Sequence, residues 1–436
     1  MTSYLLERAA LPDGVADEVL VRVADGRFTE VTPHGDPRRD PGGGPVTRLP
    51  GLTLPGLANC HSHAFHRALR GRTQRHRGSF WTWREQMYDL AARLDPDSYL
   101  VLATAVFREM AAAGITSVGE FHYLHHGPTG TPYADPNEMG KALVAAAAAA
   151  GIRISLLDTC YLTAGIGRPP EGVQRRFSDG DAAAWSYRMA LLDEGDGVRI
   201  GQAFHSVRAV PRDQLRADPS RPLHIHLSEQ RLENEQCRAA YGLSPTQVLA
   251  EAGQLGPQLT AVHATHLDDT DIGLLGDAAA FVGFCPTTER DLGDGVGPSR
   301  RLHDAGARLT LGSDSHAVID LFEEMRAVEL DERLVTGQRG HWRAGELVTA
   351  ATETGHRSLG WPDAGRIEVG RRADLVTLDT ASPRTAGTGA DEHTVVFAAG
   401  ADDVVQVVAD GRVVSGRHDR QEVGRELDEA IARIWR

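Results

Sequence analysis

Cysteine is scarce: Cys60, Cys160, Cys237 and Cys285 are the only four in 436 residues, and none forms a CxxC pair. That spacing excludes a disulfide framework and reads as reduced thiols in a cytoplasmic protein. The first residues, MTSYLLERAALPDG, lack a basic stretch followed by an apolar one, so no signal peptide is expected. No apolar run approaches the roughly eighteen residues of a membrane span. Positive charge is also short: 46 Lys and Arg stand against 60 Asp and Glu, a formal net charge of −14. With no basic stripe, a nucleic-acid partner is not expected, nor is an anionic membrane. A local group of Arg and His can still oppose that field, so an anionic small molecule stays open.

What is present has the composition of a soluble globular protein, and the length suits one large domain with a smaller one. EVLVRVADGRFTEV alternates apolar and polar residues around an Asp-Gly turn, a hairpin pattern. DPRRDPGGGP reads as a loop. Near the other end GRIEVGRRADLVTLDT and VVQVVADGRVVSG again read as strands. Residues 420 to 436 have helical spacing, and Ala142 to Ala150 reads as a helix stopped by Gly151. The middle holds eight short apolar runs separated by helix-compatible sequence: LTLPGLANC, GITSVGEF, IRISLLDTC, VRIGQAFH, RPLHIHLS, QLTAVHA, AFVGFC and RLTLGS. This alternation predicts an α/β fold. Its large part is a (β/α)8 TIM-type barrel over residues 51–365, and its small β-domain is built from 1–50 and 366–436. A doubly wound sheet is the alternative.

Polar residues follow these runs with regularity: HSH, EFHY, DTCY, HSVR, HIHLSE, HATH, CPTTE and GSDSH. In such a barrel the loops after the strands build the active site, so these clusters converge on one mouth. His61 and His63 end the first run two residues apart, on one face. They form a chelating pair or two unconnected histidines. His226 lies nearer the mouth than His224 and is the better ligand candidate; His224 reads as a packed core residue. Asp314 reads as metal-linked, with a helix N-cap as its alternative. Three imidazoles and one carboxylate make a catalytic zinc set, not a closed structural one, and Fe2+ or Mn2+ also accepts it.

HSH, HIHLSEQ, HATH and GSDSH together resemble the amidohydrolase superfamily across essentially the whole chain. HSHAFHRALRG, FWTWREQMY, EFHYLHH, FHSVRAV and CPTTERDLGDG are most similar to the formimidoylglutamate deiminases of histidine degradation. The resemblance implies a distorted barrel with a flanking β-sandwich. It implies one Zn2+ per subunit on His61, His63, His226 and Asp314, with Asp314 also orienting water. It implies Glu229 as proton shuttle and His263, not His266, against the attacked group. Tyr123, His205, Arg208 and Arg84 match positions that contact the carboxylates of a small dicarboxylate substrate, and Arg suits such a grip by itself. Arg84 has two further readings: a surface ion pair with Glu85 or a neighbouring acid, or a contact across a subunit interface. Where the family carries Gln after HAF, this chain has His66, which leaves a donor for the same carboxylate but puts the pose in doubt.

The expected reaction is hydrolysis of N-formimino-L-glutamate to N-formyl-L-glutamate and ammonia, by a cytoplasmic homodimer. Two rivals stand beside it. One is another deaminase or amidase of the superfamily, acting on a related N-substituted amino acid or a nucleobase. The other is an inactive barrel used as a scaffold. A second metal on His122, His125 and His126 is a minor alternative to their being loop and pocket residues.

Overall fold

The computed structural model of the protein describes residues 2–35, 45–75 and 77–436. It forms two sheets. The strands of the first half are β1 Thr2–Leu11, β2 Gly14–Ala24, β3 Arg27–Thr32, β4 Val46–Pro55, β5 Leu57–Ser62, β6 Ile115–His122 and β7 Arg153–Cys160. Those of the second half are β8 Val198–Phe204, β9 Leu223–Leu227, β10 Leu259–His263, β11 Phe281–Phe284, β12 Arg308–Leu311, β13 Leu375–Leu378, β14 Val404–Ala409 and β15 Arg412–Gly416.

Strands β5 to β12 pair in chain order, and all pairs are parallel. Nearly every residue in them is buried, as expected for strands with helices on one side and a packed barrel interior on the other. The ends of the sheet meet through a bridge between Ser62 and Asp314. There the Asp314 N–H donates to His61 O at 2.9 Å, and the His63 N–H donates to Asp314 O at 3.3 Å. Gly312 makes this seam possible, because a Cβ there would sit 2.7 Å from His61 Cβ and 2.8 Å from its backbone nitrogen.

The seven-stranded sheet has the order β15-β14-β13-β4-β1-β2-β3, so both ends of the chain contribute. Both Asp-Gly hairpins form, as β2–β3 and β14–β15. The loop expected at DPRRDPGGGP falls almost wholly outside the described residues. Two expected strands differ. LTLPGLANC is not one strand: β4 ends in the small sheet at Pro55 and β5 starts the barrel at Leu57. Between them Gly56 packs so closely that a Cβ would lie 2.2 Å from Thr116 Oγ1. In GRIEVGRRADLVTLDT only Leu375–Leu378 is a strand, because Gly365 and Gly370 turn the chain at φ +83° and +86°. The Ala-rich helix Glu138–Ala150 ends on Gly151 at φ +77°, and a helix spans Arg420–Trp435.

A buried ion pair joins the two sheets. Arg153, at the start of β7, bonds Asp374 Oδ1 at 3.1 Å and Asp410 Oδ1 at 3.0 Å, with Arg153 and Asp374 nearly inaccessible. Arg153→Met leaves Asp374 buried without its main counter-charge. It is expected to cost about 3–5 kcal/mol. Urea unfolding would show this, and an unchanged midpoint would contradict it.

Candidate active site

Strand ends supply the chemistry. The end of β5 gives His61 and His63, β9 gives His226, β10 gives His263, and Asp314 follows β12. The loops add His66, Tyr123, His205, Arg208 and Glu229, while the helix Phe80–Arg93 brings Trp83, Arg84 and Tyr88. All these except His61 line one pocket at the barrel mouth. His61 lies beneath it, fully buried. His266 is not in this pocket but on a separate cleft. His224 is fully buried, and burial holds it down to about 3, a neutral core histidine.

His61, His63, His226 and Asp314 bring four ligand atoms within 4.8 Å of one another. The Nε2 atoms of His61 and His226 are 3.1 Å apart, and Asp314 Oδ1 lies 3.2 Å from His61 Nε2 and 3.3 Å from His63 Nε2. The His63 Nδ1–H donates to Phe121 O at 3.0 Å, because a carbonyl can only accept. Its Nε2 lone pair therefore faces the group, as in a metal-bound histidine. Burial lowers His61 to about 4 and His226 well below its usual value, so both are neutral near pH 7, the form that binds metal. The His63 Nε2 lone pair and the Asp314 carboxylate oxygen, 3.3 Å apart, repel each other unless a cation lies between them. Ligands at about 2.0–2.1 Å from a tetrahedral zinc lie roughly 3.3 Å from each other, so the residues fit such an ion.

Backbone geometry is unusual at this spot. Ser228, His263, Ala264, Asp314 and His316 all have φ between +41° and +67°. Non-glycine residues there are strained, and such strain gathers at functional sites.

Several groups brace the site. The Ser62 hydroxyl donates to Glu120 at 2.5 Å, Glu120 also takes the Ala64 N–H at 2.7 Å, and His316 lies 3.1 Å from Ser62 Oγ. His316 continues to Ser313, and Ser313 to Asn59. This fully buried chain fixes the β5 and β12 ends together. His263 Nδ1 lies 3.3 Å from Glu289, which also accepts the Cys285 N–H at 2.9 Å. Its Nε2 lies 3.8 Å from Glu229 and 3.7 Å from Asp314. Burial opposes charge on His263, but Glu229, Glu289 and Asp314 together raise it to about 10. Burial raises Glu229 above the usual carboxylate range.

The far wall is cationic. Arg84 packs its guanidinium over Trp81 at 4.6 Å and Tyr88 at 5.5 Å, and Arg208 approaches Trp81 at 6.0 Å. Neither pairs with a carboxylate among the described residues, and Arg84 Nε is buried without a partner. The surface ion pair considered for Arg84 is therefore absent, and Arg84 lines its own chain's pocket. His66 Nε2 lies 2.9 Å from the Tyr123 hydroxyl, while its Nδ1 has no partner. The Tyr123 hydroxyl also donates to Met87 Sδ at 3.6 Å.

The cluster His122, His125 and His126 lies elsewhere. His125 Nε2–H donates to Thr159 O at 2.9 Å, its Nδ1 faces His122 at 3.3 Å, and His126 pairs with Asp179 at 3.0 Å. Asp158 binds Arg188 with both oxygens. These donors are already engaged, which disfavours a second metal. Trp83 and Tyr88 of FWTWREQMY, Tyr161 of DTCY, and Phe177 are pocket residues. Trp83 and Tyr88 read more readily as core from sequence; only their loops' return to the mouth reveals them.

Comparison with known proteins agrees with this architecture. Residues 52–414 match the family described as amidohydrolase family. A formimidoylglutamate deiminase of Pseudomonas aeruginosa is 39% identical over 97% of both chains. The crystal structure of an amidohydrolase from Brucella melitensis is 32% identical, covers 100% of both chains and superposes with a TM-score of 0.90. An adenosine deaminase from Xanthomonas campestris, solved with bound zinc, shares the fold at a TM-score of 0.84 and 23% identity, over 99% of this chain and 98% of that one. The chain belongs to the amidohydrolase family, and it is a hydrolase that acts on a carbon–nitrogen bond.

Proposed function

We propose that the enzyme hydrolyses N-formimino-L-glutamate to N-formyl-L-glutamate and ammonia, with one Zn2+ held by His61, His63, His226 and Asp314. The observation that carries the substrate class is the pair of unpartnered guanidiniums, Arg84 and Arg208, in a pocket of an acidic protein. Unpaired cations there call for an anionic ligand. The 39% identical relative named for this activity supports the same reading.

Water adds to the formimino carbon, the C=N bond becomes C=O, and its nitrogen leaves as ammonia. When bound, the ion supplies Lewis acidity and lowers the pKa of a coordinated water to about 7. Asp314 orients that water. Glu229 carries a proton to the departing nitrogen. His263 donates to the group under attack and steadies its charge. Tyr123, His205, Arg208, Arg84 and His66 hold the carboxylates. The apolar side chains of Phe80, Trp83, Met87, Phe177 and Leu292 limit water around them. We read the enzyme as a cytoplasmic homodimer, and sedimentation would check the oligomeric state.

The direct test is ammonia release by the zinc-loaded protein from N-formimino-L-glutamate, beside N-formimino-L-aspartate, guanine and cytosine. Release from the glutamate compound alone is expected; release from a nucleobase instead would overturn the substrate. Arg208→Met is expected to raise KM by about 10- to 100-fold, with the change falling on KM more than on kcat. An unaltered KM would remove Arg208 from the carboxylate contacts.

A further inference from the structure

Gln174 lies in the turn Gly172–Phe177 after β7 and is buried. Its hydrogen bonds account for its whole amide. Oε1 accepts the Glu171 N–H at 3.1 Å, so Nε2 must face the other way. The two Nε2 hydrogens donate to the hydroxyl oxygens of Tyr88 at 3.0 Å and Tyr161 at 2.9 Å. A carboxamide has only two such hydrogens, and both are used. Flipping the amide would set its NH2 against a backbone N–H, so the orientation is fixed.

Each phenol oxygen is thereby an acceptor from Gln174, and its own O–H must find an acceptor elsewhere. The two hydroxyls adjoin each other, so one O–H can end on the other phenol. The second has no acceptor among the described residues. Both tyrosines line the pocket. Tyr88 lies under the Arg84 guanidinium, and the Tyr161 ring is 4.8 Å from the His205 ring. The wall thus presents a phenolic donor next to two unpaired guanidiniums.

We propose that Gln174 is a positioning residue for substrate selection: by occupying both phenol oxygens as acceptors it leaves the Tyr88–Tyr161 pair with one O–H to donate toward the pocket, and so makes the wall beside Arg84 and Arg208 select a carboxylate over a carboxamide. A carboxylate only accepts, whereas a carboxamide would set N–H donors against O–H and guanidinium donors. Tyr88 and Tyr161 are then specificity-determining residues. The inference rests on the proposed dicarboxylate substrate.

The test uses calorimetric binding of glutarate and of its monoamide to the metal-loaded protein, beside ammonia release from N-formimino-L-glutamate. The wild type is expected to favour glutarate by at least about tenfold. Gln174→Met, which lacks donors, should narrow that preference by about tenfold and raise KM more than it lowers kcat. Gln174→Glu, whose carboxylate would draw both O–H groups away, should abolish the preference. Tyr161→Phe removes an O–H without touching the turn and should narrow the preference as Gln174→Met does. In the double variant the two effects should fail to add. A preference unaltered in Gln174→Met and Tyr161→Phe overturns the proposal, as does full additivity. Glutarate preference that collapses in the variants, in a protein that releases no ammonia, sustains the role of Gln174 and sinks the reaction. Ammonia release with an unaltered preference does the reverse.

Discussion

Glu229→Gln is expected to lower kcat by about 10³-fold while the protein keeps its metal and its KM. The side chain is almost fully buried and belongs to none of the ligand groups around His61. It follows the ligand His226 by three residues, and its carboxylate lies 3.8 Å from His263 Nε2. The amide has the same shape, so packing is preserved. It cannot accept and release a proton at neutral pH, so only the transfer to the departing nitrogen is lost. An effect on kcat without one on KM marks an interaction made in the transition state alone. Metal analysis of the purified variant separates this from loss of the ion. A kcat within tenfold of wild type, with full metal content, would remove Glu229 from the reaction.

Stripping the metal is expected to have an even larger effect. Activity should fall by more than about 10³-fold on chelation and return with added Zn2+, since both water activation and polarisation are lost together. Mn2+ and Fe2+ added to the same stripped protein test the metal's identity, because the ligand types alone admit all three. Stability should fall as well. His61 and His63 end the first barrel strand, Asp314 follows the last, and the seam between them is a single bridge. An ion held by both sides ties that seam together. The stripped protein should melt lower by at least about 5 °C, since a ligand that binds only the folded state stabilises it. Calorimetry with and without chelator would show it. Full turnover in a protein shown to be metal-free would overturn the metal reading, whatever the melting point.

Much of this architecture is legible in the chain. Short apolar runs with polar residues behind each of them specify buried strands whose ends share one mouth, because a parallel strand buried on both faces has no polar position except at its end. The period-two spacing of His61 and His63 is enough to place both on one side. The misread strands turn on glycines. LTLPGLANC divides at Gly56 because of a contact with Thr116, sixty residues away, and no local pattern reports such a contact.

The pocket wall was harder to read, for a different reason. Arg84 sits on a helix whose sequence suits a surface, and its role depends on which carboxylates the fold leaves out of reach. Gln174 carries no motif, and CPTTE and DTCY do not say what Glu289 and Tyr161 meet. Glu289 matters because it meets His263 and a backbone N–H, and Gln174 because its amide spans a tyrosine of the helix Phe80–Arg93 and one that follows β7. The sequence by itself determined the fold class, the family and the four candidate metal ligands, since strand periodicity and residue type are local properties. Only the tertiary structure decided that Arg84 and Arg208 stand unpaired, that His122 and His125 face each other, and that one amide serves two phenol oxygens. Those are statements about where every nearby donor and acceptor is satisfied, and that accounting closes only when the loops of all eight strands are in place.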